Sequence, residues 1–197
     1  MSQSDWIFCE KTVVHLLLHQ QSLSFPLEPQ SLKTEQTIYF DSIQRYCHTV
    51  GLPVSSFCSQ SFFRDGCTLC SADGSFFVIL YNEWDDSPQR RRFTLAHEMG
   101  HIVLSHTDDD RSSETLANQF ASHLLIPRIA LQYLKKKGVP FSVQEFANFF
   151  GVSLSAMRLA YEETFYDGIL EEDRLLLKFQ KELDAFSDRL IEPPLSL

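Results

Sequence analysis

No stretch of this 197-residue chain is long and apolar enough for a bilayer-crossing helix, which excludes helical transporters and channels. The apolar run Val13 to Leu18 is too short, and too interrupted by His15 and His19, to export or span. The leading residues, Met1-Ser2-Gln3-Ser4-Asp5, carry no cationic side chain, so no export signal is expected and the predicted location is cytoplasmic. Positive charge is also scarce: 17 Lys and Arg against 26 Asp and Glu leave a net charge of −9. Non-specific nucleic-acid binding needs a basic footprint, so direct DNA binding is disfavoured. An acidic protein is better suited to a basic protein partner. The five cysteines are odd in number and follow no signal sequence, so reduced thiols are expected rather than a disulfide framework. Low-complexity tracts are absent, and 44% hydrophobic content is enough to bury the core of one domain with at most a small appendage.

The most informative residues present are His97-Glu98-Met99-Gly100-His101. On a helix, positions i and i+4 lie one above the other, so both imidazoles can reach one metal ion. Glu98 lies about 100° round the helix from His97, beside the ion rather than on it. A carboxylate there can act as general base toward a metal-activated water, the role this pattern plays in metallopeptidases. Chance supplies the pattern in roughly one chain of this length in a hundred, so context has to decide. Ser87-Pro88 is a helix start, with Ser as N-cap and Pro at the first helical position. Phe93, Ala96, Met99 and Val103, widened by Leu95 and Ile102, then form an apolar stripe. On such a half-buried helix, histidines without a ligand would suffer desolvation.

A catalytic zinc takes three protein ligands and leaves a fourth position for water. A third histidine six residues after the second is excluded, because Thr107 stands there and Leu104 replaces the glycine of that arrangement. The better candidate is Glu114, thirteen residues past His101. Ser112-Ser113 reads as a helix start, and Leu116, Ala117, Phe120, Leu124 and Leu125 form a stripe that Pro127 terminates. A short turn over 106–111 folds this helix back and turns Glu114 toward the histidines. Asp108, Asp109 and Asp110 are rival ligands, although acids crowded into a turn are usually solvated.

Three segments carry a family likeness: Arg92-Phe93-Thr94-Leu95-Ala96-His97-Glu98-Met99-Gly100-His101 with Leu104 and His106; Glu114 with Ala117-Asn118, Phe120-Ala121; and Leu124-Leu125-Ile126-Pro127. Together they resemble the ImmA/IrrE metallo-endopeptidases, over roughly residues 10–165. The resemblance implies His97, His101 and Glu114 as metal ligands and Glu98 as catalytic base. It implies zinc as the metal, although the ligand types alone admit Mn2+ or Fe2+. It further implies a protein substrate, a helix-turn-helix transcriptional repressor. His123 is a departure, since the family commonly has an acidic residue there.

Elsewhere, 5–20 reads as a helix with Trp6, Cys9, Val13, Leu16 and Leu17 on one face, and its His15 and His19 lack an acid between them. A second helix is expected from Leu32 or Gln36 to Thr49. Phe62–Cys70 and Ser75–Tyr81 read as strands around the turn Ala72-Asp73-Gly74, with a weaker strand at Val54–Phe57. Cys67 and Cys70 point to opposite faces of a strand and, with Cys58 aside, have no second pair, so no structural zinc site is expected. Residues 139–163 carry helix-turn-helix spacing around Gly151, but the second helix offers Arg158 as its only cation and ends in Glu162-Glu163. A structural or substrate-docking role is therefore expected over DNA reading. Ile169–Ile191 is an acidic amphipathic helix, with Leu176, Phe179, Leu183, Phe186 and Leu190 on one side, that can pack on the core, pair with another copy or hold a partner.

The expected fold class is α+β: a mostly helical zincin-like domain (1–137) with a small antiparallel sheet beside the active-site helix, then helix-turn-helix-like helices (138–165) and the acidic C-terminal helix (166–197). The expected function is a zinc-dependent endopeptidase. His106, His123 and Tyr81 are all available to stabilise the oxyanion. The alternatives are a non-proteolytic metal-dependent regulator that grips a repressor or DNA through 139–163, and an adaptor with a vestigial site.

Overall fold

Helices surround a small sheet in the computed structural model, which describes residues 3–57, 65–85, 87–107, 110–163 and 172–191. Helix α1 (Gln3–Leu18) buries Cys9, Val13, Val14, Leu16 and Leu17. Trp6, expected on that face, is 42% exposed, because its stripe runs out beyond the core in the first turn of the helix.

The sheet corrects the sequence reading most. Residues 38–42, expected inside a helix, form β1 (Ile38–Ser42), and only then does α2 (Ile43–Val50) begin. Ser42 accepts a hydrogen bond from the Arg45 amide and so caps α2, and Gly51 ends it at φ 72°. Strand β2 (Gly66–Cys70) runs antiparallel to β3 (Phe77–Tyr81), with Thr68 opposite Ile79, as the hairpin signal predicts. Gly74 takes φ 71° in that turn, and the Asp73 carboxylate accepts bonds from Ser71 and Ser75 that lower its pKa to about 2. The third strand, β1, pairs with β3 in parallel, so the sheet is mixed, in the order β1-β3-β2. Val54–Phe57 is a 3-10 turn, closed by the Ser56 amide on the Pro53 carbonyl, rather than a strand. Cys58 and the 62–64 portion of the expected strand lie outside the described residues.

One sheet face is covered by α2, where Ile43, Cys47, Cys67 and Leu80 form a small cluster; Cys70, on the opposite face, is exposed. The other face carries α3 (Pro88–Val103) and, behind it, α4 (Arg111–Leu125), α5 (Arg128–Lys136), α6 (Val143–Phe150), α7 (Leu154–Glu163) and α8 (Glu172–Ile191). The α6–α7 pair has the expected turn at Gly151, whose φ is 66° and whose carbonyl accepts a bond from Arg92 on α3. Of the three roles open to α8, it takes core packing: Leu175, Phe179, Leu183 and Phe186 are buried. Its Glu182 accepts the Phe25 amide at 2.8 Å, and Asp184 binds Tyr133 and Lys137 of the α5 region. The expected start of α8, 169–171, lies outside the described residues.

Candidate metal centre

Local sequence sets the two helices that build the site. The Ser87 hydroxyl caps α3 by accepting the Arg90 amide, with Pro88 at the first helical position. Thr94, Leu95, Ala96, Met99, Gly100 and Ile102 then face inward, which leaves His97, Glu98 and His101 half-buried at the boundary. Helix α4 begins one residue before the expected serines. Asp110 caps it, its carboxylate accepting the Ser113 amide at 2.7 Å, a contact that holds its pKa below the usual carboxylate value. Asp110 is thus committed to the helix start, while Asp108 and Asp109 lie outside the described residues.

Glu114, in the first turn of α4, faces the two imidazoles. His97 Nε2 and His101 Nε2 are 3.1 Å apart; the Glu114 oxygens lie 3.5 Å from the first and 3.4 Å from the second. Ligands at about 2.0–2.1 Å from a tetrahedral zinc are separated by about 3.3 Å, and the three residues each offer one ligand atom within 4.8 Å of the others, so the group can gather round one ion. Among the described residues, this is the group of His, Cys, Asp and Glu that draws close enough to hold a metal. The close approach of α3 and α4 depends on Gly100, where an added Cβ would lie 3.1–3.2 Å from Phe120.

Each imidazole is also held from behind. His97 Nδ1 lies 3.0 Å from Asn118 Oδ1, which can only accept, so the proton sits on Nδ1 and the Nε2 lone pair points inward. His101 Nδ1 lies 3.3 Å from His106 Nδ1. Desolvation lowers the His106 pKa, which favours a neutral ring able to accept that bond. His106 therefore backs His101 through its Nδ1. His123 is elsewhere, on the far side of α4, with Glu10, Val14, Arg128 and Leu175 around a small pocket; burial, then the Arg128 charge, lowers its pKa to about 4. Tyr81 lies under Arg91, 5.3 Å from ring centroid to guanidinium.

Glu98 reaches toward the sheet, where Thr68 Oγ1 on β2 donates to its Oε2 at 2.7 Å. Strand and helix can approach this closely because β2 starts with Gly66; a Cβ there would stand 2.5 Å from Thr94 Cγ2. Thr68 and the backing roles of Asn118 and His106 are absent from the sequence reading. Asn118 was detectable, since it lies one turn beyond Glu114 on the same face. A threonine in a strand carries no such signal.

A family model described as the IrrE N-terminal-like domain, Peptidase_M78, matches residues 67–161, from β2 through α7. Residues 67–161 carry the domain of this peptidase family. The matched segment of this M78 peptidase contains every residue of the His97–His101–Glu114 group together with Glu98, Thr68, His106 and Asn118. No curated protein matches the chain.

Proposed function

We propose that this M78 peptidase is a zinc-dependent endopeptidase that cleaves a helix-turn-helix transcriptional repressor. The observation that carries the chemistry is the clustering of His97, His101 and Glu114: the two Nε2 atoms are 3.1 Å apart, with Glu114 Oε2 3.5 Å from the first and Oε1 3.4 Å from the second. A divalent ion held there supplies charge that acidifies a water and polarises a peptide carbonyl. Zinc suits the ligand set best, and Mn2+ or Fe2+ would fit the same side-chain types. Asn118 and His106 fix the ligand tautomers. Glu98, the next residue after a ligand, takes the proton of the attacking water and returns it to the leaving amine.

The sheet offers a place for the peptide. The Asp65 carbonyl accepts the Asn82 amide and the Ser71 amide donates to the Phe76 carbonyl, at the two ends of β3, so by antiparallel alternation the N–H and C=O groups of Gly66, Thr68 and Cys70 face the outer edge of β2. Among the described residues no strand pairs there. An extended segment laid along that edge would pass beside Glu98, in the manner of strand addition. The repressor is favoured by the family resemblance and by the net charge of −9, which complements a DNA-binding protein. The regulator alternative draws no support from α7, whose exposed residues include Leu154, Leu159 and one cation, Arg158.

The test mixes the purified protein with a purified helix-turn-helix repressor, with and without chelator. Cleavage should require metal and should fall by at least about 100-fold in Glu98→Gln, which should still bind zinc. Cleavage by Glu98→Gln at the parent rate would overturn the assignment.

A further inference from the structure

Glu98 is held from outside its own helix. Its Oε2 accepts a 2.7 Å bond from Thr68, a residue thirty positions earlier on β2. A side chain on a half-exposed helix face has several rotamers, and a single charge-assisted bond from a rigid strand selects among them. Thr68 is suited to that task. It is central in a five-residue strand, it stands opposite the fully buried Ile79, and its β-branched side chain has restricted χ1 freedom. Gly66, two residues earlier on the same face, removes the Cβ that would stand 2.5 Å from Thr94 Cγ2 and push β2 away from the helix that carries Glu98. The main chain of Thr68 meanwhile faces the outer edge of the sheet. One residue thus touches both the base and the edge available to an extended peptide.

We propose that Thr68 is a positioning residue: its hydroxyl fixes the Glu98 carboxylate in the orientation needed to accept the proton, with no part in holding metal. The inference rests on the reading of Glu98 as base. It predicts a loss through the hydroxyl alone, so the two informative variants are Thr68→Val, which keeps shape and strand preference, and Thr68→Ser, which keeps the donor.

Both variants and the parent are loaded with cobalt and titrated with acetohydroxamic acid, read by the visible absorption of the metal. A hydroxamate gives up a proton on binding such a centre, and Glu98 is the group placed to accept it, so this affinity reports on the base without a known substrate. Thr68→Val should bind cobalt as the parent does, melt within a few degrees of it, and bind the hydroxamate about 10- to 100-fold more weakly, the range expected for losing one hydrogen bond to a charged group. Thr68→Ser should restore most of the affinity. With fluorescein-labelled casein as a protein probe, kcat should fall by a similar factor while KM changes little.

Hydroxamate affinity in Thr68→Val equal to the parent's overturns the proposal. So does Thr68→Ser behaving as badly as Thr68→Val, since a hydroxyl at that position would then not suffice to orient Glu98. Glu98→Gln separates the two levels. If it leaves hydroxamate affinity intact, the base assignment itself fails; if it lowers the affinity and adding Thr68→Val lowers it no further, Thr68 acts through Glu98.

Discussion

Replacing Gly100 by alanine tests whether the spacing of α3 and α4 sets the metal triangle. The new Cβ would lie 3.1 Å from Phe120 Cδ1 and 3.2 Å from its Cβ and Cγ. Carbon contacts are comfortable from about 3.5 Å, so a gap of about 0.3–0.4 Å has to open. Ring rotation relieves Cδ1, but Cβ moves only with the α4 backbone. Phe120 is fully buried, in an interior that has no slack to absorb the shift. Glu114 rides on the same helix and retreats with it, whereas metal–ligand distances tolerate only about 0.2 Å. Two opposing terms act on the fold: alanine improves a helix interior by about 0.5–1 kcal/mol, and overpacking costs about 1–3 kcal/mol. The metal-free protein should therefore lose no more than about 2.5 kcal/mol, while zinc affinity falls about 10-fold or more. Zinc competition against a chromogenic chelator measures the second quantity, and melting in excess chelator measures the first. Parent-like zinc affinity in Gly100→Ala would show that α4 yields without carrying Glu114, and the coupling of helix spacing to ligand geometry would be refuted.

Asn118→Ala removes the acceptor behind His97 and should weaken zinc binding about 10- to 100-fold with little change in melting temperature, as the same competition assay reads. Glu10→Ala removes one carboxylate partner of Arg128, whose side chain is only 17% exposed, and should lower the melting temperature without altering zinc affinity. His123 gives a pH signature. Its pKa is depressed from 6.5 to about 4 by burial and Arg128, so the unfolded chain binds the proton first as pH falls. Stability should decline between about pH 6.5 and 4 by at most on the order of 3 kcal/mol, and His123→Leu should flatten that slope in thermal melts of the metal-free protein.

The motif helix was legible because its signals are local: Ser87 and Pro88 start it, and the apolar stripe fixes which side is buried. Glu114 was legible for the same reason, from helix periodicity and a short connection. Strand β1 was not. Ile38-Tyr39-Phe40 runs directly into a capped helix, and what makes it a strand is parallel pairing with residues 77–81, far away in the chain. The start of α4 was displaced because Asp110 and Ser112 are both good caps, and only the observed Ser113 contact decides between them. Thr68 escaped entirely, since nothing in the run Gly66–Cys70 announces that its hydroxyl meets a carboxylate thirty residues on.

The burial of Leu175, Phe179, Leu183 and Phe186 against α1 and α5 has a consequence for anyone handling this protein. The stretch shared with the family, 67–161, omits both α1 and α8, so cutting the gene down to it would strip two walls from the hydrophobic interior. During synthesis, too, the ribosome must release the last of those phenylalanines before the interior that supports the histidine helix can close.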